Sequence, residues 1–260
     1  MLITTSHGTA TDQPPLLIVH GLFGSARNWG GVARRLADRG LVTVPDMRNH
    51  GTSPWYPTHH YADLAADLAE LVAPHGPVDM VGHSMGGKAA MLLALTRPEL
   101  VNRLIVADIA PVAYEHSHLP HIRAMQALDL PHITGRADAD RALTPAVPDP
   151  GVRAFLLQSL DLTATPPRWR LNLDVLAHDM AAITGWPDPV GHYDRPTLFL
   201  SGAQSDYVLP AHRPAIKALF PMASFAKIPN AGHWLHAEQP GAVEATIRRF
   251  FSPPPSSSGQ

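Results

Sequence analysis

Apolar positions follow two rhythms along this chain. Short runs of apolar residues, Leu16–His20, Leu41–Pro45, Val78–His83 and Arg103–Asp108, have the length and continuity of strands buried on both faces. Between them lie stretches whose apolar residues recur three or four apart. In Arg27–Arg39 these are Val32 and Leu36, in Tyr61–Val72 they are Leu64, Leu68 and Leu71, and Lys88–Leu95 is built from small and apolar helix formers. Strand and helix alternate at short intervals, which predicts an α/β fold with a mostly parallel central sheet and helices on both faces.

The alternation stops near Pro111. From there to about Asp194 the chain is rich in Pro, His and Asp, with short helix-like pieces at His121–Leu128, Val152–Leu160 and Trp169–Leu176 and no strand pattern. The earlier rhythm then returns: a strand at Pro196–Ser201, a helix at Ala211–Leu219, a strand at Ser224–Ile228 and a last helix at Ala242–Phe251. The expected organisation is a core from 1–110 and 195–252, a helical lid inserted at 111–194, and a low-complexity tail at 253–260 expected to be disordered.

Composition narrows the function classes. The formal net charge of the 260-residue chain is −2 and charged residues make up 16%, so no basic face points to a nucleic-acid partner. The first residues carry neither a basic start nor an apolar run of signal length, and no stretch reaches the ~18 apolar residues of a membrane helix. The sequence contains no cysteine, hence no disulfide and no thiolate metal site, which fits a reducing compartment; the expected location is the cytoplasm. Sixteen histidines are scattered without metal-ligand spacing, and their plain reading is surface polarity.

The chemistry begins at Gly82-His83-Ser84-Met85-Gly86, a GxSxG motif between a predicted strand and a predicted helix. A sharp turn there lifts the serine hydroxyl clear of the sheet, and the flanking glycines let strand and helix close around it. The helix N-terminus at Met85 directs free N–H groups at the same place. A serine hydroxyl needs a base. His233, in Asn230-Ala231-Gly232-His233-Trp234 after the last strand, is placed to serve, with His236 as its neighbour at the start of the final helix. His20-Gly21-Leu22-Phe23-Gly24 follows the first strong strand. Its turn can set the N–H of Leu22, or alternatively Phe23, beside that of Met85 as an oxyanion hole, with His20 bracing the loop. Two aspartates end strands near the histidine loop and could orient it: Asp206, slightly favoured by position along the chain, and Asp108. Asp46 also ends a strand but lies too far away.

These motifs, with Asp46–Pro54 (DMRNHGTSP), Asp108–Val112 (DIAPV) and Ala231–Pro240 (AGHWLHAEQP), resemble the α/β-hydrolase esterases of the YbfF type and their animal abhydrolase-domain relatives, from about Leu16 to Phe251. The resemblance implies an α/β-hydrolase fold and makes the DIAP aspartate, Asp108, the triad acid, with Asp206 as the alternative. It also places Trp234, Phe23 and Arg48 near the substrate, with His50 and Arg48 equally readable as loop braces. Trp169 and Trp186 in the lid are expected to add specificity. The implied activity is a serine hydrolase that cleaves carboxylic esters or thioesters of small to medium acyl groups through an acyl-enzyme, with a small-molecule substrate, no metal and no organic cofactor. A C–C hydrolase, lyase or cofactor-free perhydrolase on the same frame is the alternative reaction, and a non-catalytic ligand-binding protein the alternative class.

Overall fold

The computed structural model describes residues 1–252; the tail expected to be disordered, 253–260, lies outside the described residues. The strands are β1 (Thr4–His7), β2 (Leu16–Val19), β3 (Val42–Pro45), β4 (Val78–His83), β5 (Val101–Ala107), β6 (Leu160–Asp161), β7 (Arg168–Trp169), β8 (Thr197–Gly202) and β9 (Ala223–Ile228). Seven of them form one sheet in the order β1-β3-β2-β4-β5-β8-β9, parallel throughout except for β1, which runs against β3.

Burial on both faces explains the unbroken apolar runs. Along β2, Leu16 and Ile18 pack on one side of the sheet and Leu17 and Val19 on the other. Helices α1 (Ala26–Arg35), α2 (Tyr61–Val72) and α3 (Met85–Thr96) follow β2, β3 and β4. Trp29, Val32 and Ala33 of α1 close one face, while Leu64 and Leu68 of α2 and the almost wholly buried α3 close the other. Each fully buried aliphatic side chain contributes roughly 1.5–3 kcal/mol.

Between β5 and β8 the chain passes through α4 (Leu119–Gln126), α5 (Arg136–Leu143), α6 (Pro150–Leu157), α7 (Leu173–His178) and α8 (Met180–Thr184). It also contains the β6–β7 ribbon, where no strand was expected. Trp169, expected to open a helix, stands in that ribbon, and α7 starts only at Leu173. The ribbon is two residues long on each side and held by backbone pairing, too short to leave a pattern in the sequence. This segment docks on the loops that follow β2 and β3. Ser159 Oγ donates to Phe23 O at 2.8 Å, Gly51 N–H donates to Arg170 O at 2.8 Å, and Asn172 N–H donates to Asn49 O at 3.0 Å. The chain closes with α9 (Arg213–Leu219), α10 (Leu235–Glu238) and α11 (Pro240–Phe251).

The parallel register brings several strand ends to one edge. Val19 pairs with Gly82, His83 with Ala107, and Ala107 with Leu200, so the loops after β2, β4, β5 and β8 open side by side. The sheet order reverses around β2, which lies between β3 and β4. A crevice at the carboxyl ends of the strands beside such a switch is where open α/β sheets bind ligands. Among the described residues no helix is long and apolar enough to cross a membrane.

Candidate active site

The elbow after β4 is tight. A Cβ on Gly82 would lie 2.5 Å from Gly86 O, and one on Gly86 would lie 2.4 Å from His20 O, so neither position accepts a side chain. Between them Ser84 has φ 53° and ψ −122°. Among the described residues only six other than glycine have positive φ, and three of them, Phe23, Ser84 and Asp108, meet at this crevice. Such backbone costs on the order of 1–3 kcal/mol per residue and persists where the surroundings enforce it. Here they do: Ser84 N–H donates to Ala107 O at 3.0 Å and Asp108 N–H to Leu200 O at 2.8 Å, extending the sheet ladder into the turns.

His233 sits on the loop after β9. Its carbonyl accepts from His83 Nε2 at 2.9 Å, and the preceding Gly232 N–H donates to Glu238 Oε2 at 2.8 Å. The imidazole bridges two groups. Nδ1–H donates to Asp108 Oδ2 at 2.8 Å, which leaves Nε2 as the acceptor for the Ser84 hydroxyl at 3.0 Å. Asp108 is fully buried, and its other contacts are the N–H of Gly202 on Oδ1 at 3.0 Å and the hydroxyl of Ser205 on Oδ2 at 2.5 Å. Asp206 is exposed and makes no bond to His233. The loop that carries it delivers Ser205 instead.

Beside Ser84, the Phe23 N–H donates to His50 Nε2 at 3.2 Å. The N–H groups of Leu22 and Met85 meet no acceptor among the described residues. The loop is braced by neutral histidines. His20 donates from Nδ1 to Gly21 O at 2.8 Å and accepts Met47 N–H on Nε2 at 3.0 Å. His50 donates from Nδ1 to Arg48 O at 2.9 Å. Burial lowers the pKa of both, that of His50 to about 3, with the nearby His20 contributing in the same direction. The reading of the histidines as surface polarity is therefore corrected for five of them, His20, His50, His59, His83 and His236, which are buried, while His60, His75, His132, His178 and His192 are exposed. A neutral imidazole offers one donor and one acceptor, which suits loops whose backbone groups lack a sheet partner.

A cavity of about 180 Å³ opens at Ser84, lined by Leu22, Phe23, Trp29, Phe155, Leu156 and Trp234; beyond the groups already described, Asn28, His118, His121 and Tyr207 add polar positions, and no Lys, Arg, Asp or Glu side chain lines it. Of the expected pocket residues, Phe23 and Trp234 line it. Three do not, and each has a structural reason. Arg48 is clamped by Asp67, with Nε–Oδ2 2.6 Å and Nη2–Oδ1 2.8 Å, and lies over the ring of Tyr56. Trp169 is buried, with Nε1 donating to Met125 O at 2.9 Å. Trp186 is half-buried and packs against the hydrophobic core. Asp46 caps local structure, accepting Ala26 N–H at the start of α1 at 2.8 Å and Thr52 N–H at 2.8 Å.

Sequence reasoning missed Ser205, Tyr207, His118, His121 and Phe155. Their only sequence signal is proximity to segments singled out for other reasons. Among the described residues no three His, Asp or Glu side chains converge to hold a metal ion.

Comparison with known proteins agrees with this architecture. Residues 14–240 match the alpha/beta hydrolase fold family. The chain is 44% identical over 255 residues to the mouse (Mus musculus) sn-1-specific diacylglycerol lipase ABHD11, covering 94% of this chain and 83% of that protein. It is 37% identical over 244 residues to the Escherichia coli esterase YbfF, covering 93% and 94% respectively. A solved structure of a marine microorganism esterase superposes with a TM-score of 0.91 at 35% identity, covering 96% of this chain and 98% of the other. The chain belongs to the α/β-hydrolase fold family, with the esterases of the YbfF and ABHD11 type.

Proposed function

We propose that this ester hydrolase works through Ser84 as nucleophile, His233 as general base and Asp108 as the acid that orients it. The reading rests above all on the unbroken Ser84–His233–Asp108 hydrogen-bond relay, at 3.0 and 2.8 Å. Ser84 Oγ attacks the ester carbonyl carbon as its proton passes to His233 Nε2. The buried Asp108 carboxylate fixes the Nδ1–H tautomer and stabilises the imidazolium. The N–H groups of Leu22 and Met85 receive the oxyanion, each worth about 3 kcal/mol of barrier. The Phe23 N–H is held by His50. As the tetrahedral intermediate collapses, the imidazolium returns its proton to the departing alcohol or thiol. Water, deprotonated by the same histidine, then releases the carboxylic acid and restores Ser84.

The cavity favours an uncharged acyl group, because Phe23, Trp29, Phe155, Leu156 and Trp234 offer apolar contact and no ionic side chain faces it. Residues 111–194 act as the lid in this reading, since His118, His121, Phe155 and Leu156 come from that segment. Small to medium acyl esters or thioesters are the proposed substrates. A cysteine-free chain suits the cytoplasm, the proposed location.

Turnover of p-nitrophenyl acetate, butyrate and hexanoate, together with fluorophosphonate labelling, tests the reading. Rapid hydrolysis that Ser84→Ala abolishes, with the label on Ser84, supports it. Weak ester turnover beside robust C–C cleavage or elimination, or labelling that persists in Ser84→Ala, overturns it.

A further inference from the structure

The loop after β8 carries more than Ser205. The ring of Tyr207 stacks on the imidazole of His233, with centroids 4.1 Å apart and planes inclined by 22°. The tyrosine is fixed along its length. Its N–H donates to Ser205 Oγ at 3.3 Å, its carbonyl accepts the Tyr114 hydroxyl at 2.7 Å, and its own hydroxyl bonds His116 Nε2 at 2.9 Å. Ser205 in turn bonds Asp108. One short loop thus holds both the carboxylate and the ring that this carboxylate orients. Burial raises the Tyr207 phenol to about 12, so it remains a neutral hydroxyl across the working range.

We infer that Tyr207 is a positioning residue for hydrolysis, its ring face keeping the His233 imidazole in the plane that joins Ser84 to Asp108 and stabilising the imidazolium formed when Ser84 gives up its proton. The inference rests on His233 being the base. An aromatic face within about 6 Å of a cation attracts it, most strongly where water is excluded. The titratable groups around the ring are few. Asp108 faces it from the end of β5, His83 from the end of β4 with its ring 4.8 Å away, His116 from the segment after β5, His118 from the start of α4, and His236 from α10; Glu238 bonds the loop backbone. Burial keeps His83 and His236 neutral, which leaves Asp108 and the Tyr207 face as the groups that favour a cation at His233.

The test is the pH dependence of kcat/KM for a neutral p-nitrophenyl ester. Tyr207→Leu keeps the site covered but removes the π face; Tyr207→Phe keeps the face and loses the hydroxyl. The expected result for Tyr207→Leu is a kcat lower by roughly tenfold, KM within about twofold, and an acidic limb displaced by about half a pH unit to lower pH, with Tyr207→Phe close to wild type. Should Tyr207→Leu fold poorly, phenylalanine and its mono- and pentafluorinated analogues at position 207 preserve shape while draining the ring face, and the acidic limb should fall in that order. An unmoved limb across either series, or a Tyr207→Phe as impaired as Tyr207→Leu, overturns the inference. His233→Ala separates the two levels: residual full turnover there removes the base assignment itself, whereas an inactive His233→Ala with an unmoved Tyr207 series removes only the role of Tyr207.

Discussion

Asp108 Oδ2 stands 2.8 Å from His233 Nδ1, while Asp206, on the loop after β8, makes no bond to that ring. Asp108→Asn keeps the shape but lets the amide favour the wrong imidazole tautomer, and kcat is expected to fall by roughly 10³–10⁴-fold. Asp206→Asn should leave turnover near wild type. Ser205→Ala removes one hydrogen bond to the carboxylate, worth about 1.5–3 kcal/mol, and should fall between the two. Steady-state kinetics on one ester ranks all three. Equal losses in the two aspartate variants would mean that the acid has been wrongly assigned.

Ser84 occupies a backbone conformation that suits glycine, with φ 53° and ψ −122°. Ser84→Ala retains the strain and loses only the hydroxyl. Ser84→Gly relieves strain of about 1–3 kcal/mol, less the ~0.5–1 kcal/mol that glycine loses through a freer unfolded chain. Both variants should be inactive, and Ser84→Gly should melt roughly 2–4 °C above Ser84→Ala. Calorimetry reading the reverse order would show that the elbow is unstrained.

What the sequence conveyed and what it hid divide along physical lines. β2 and β4 are buried on both faces, so their apolar runs stand out, whereas β1 is the exposed, polar Thr4–His7, held by pairing with β3 and bearing no pattern of its own. Ser84 and His233 could be picked out because an elbow and a Gly-containing loop write themselves into local sequence. The choice between Asp108 and Asp206 could not be made from spacing, since β5 and β8 are neighbours and either carboxylate ends near the same loop. Trp169 and Trp186 drew attention by size, yet size marks a core position as readily as a pocket wall, and both pack inward. The histidines misled for a related reason: composition reports polarity, and a neutral imidazole bonded to backbone on both nitrogens can be buried, as His20 is.

Phe155 and Trp234 meet over the cavity with ring centroids 5.1 Å apart. Phe155→Ala should lengthen the space open to the acyl chain and move the optimum to longer p-nitrophenyl esters. Each further methylene accommodated is worth ~0.8 kcal/mol, or about fourfold in kcat/KM. A chain-length profile measured on both proteins checks this; superimposable profiles would place the acyl chain elsewhere.

Acid should destabilise the fold well above the carboxylate range. Burial, aided by neighbouring histidines, lowers His50 and His236 to about 3. The unfolded chain takes up these protons near its ordinary pKa of about 6.5. Between those values the unfolded state binds more protons, so stability is complete above about pH 6.5 and is lost as pH falls toward 3, by up to about 1.4 kcal/mol per pH unit for each residue. His236 stacks on Trp29 at 4.3 Å, and its Nδ1 has no partner among the described residues. His236→Phe keeps the stack and removes the proton uptake. Urea midpoints taken from pH 7 to pH 4 should decline less steeply in the variant, and parallel declines would contradict a neutral buried His236.

Lys88 extends the same linkage to alkaline pH. Its ammonium is buried beneath the segment between β5 and β8, donating to Thr184 O at 3.0 Å and Gly185 O at 2.6 Å and lying 4.8 Å from the Tyr114 ring centroid. Burial lowers its pKa to about 7. Unfolded lysine keeps its proton up to about pH 10.4. From pH 7 upward the unfolded state therefore holds the extra proton, and raising the pH stabilises the fold relative to a chain without this lysine, by at most about 1.4 kcal/mol per pH unit. Lys88→Met gives that reference. The stability of wild type relative to Lys88→Met should improve steadily from pH 7 to 9.5, short of the range in which ordinary tyrosines ionise. A difference that stays constant, or that shrinks with rising pH, would show that the carbonyls and the ring faces keep the ammonium charged despite its burial.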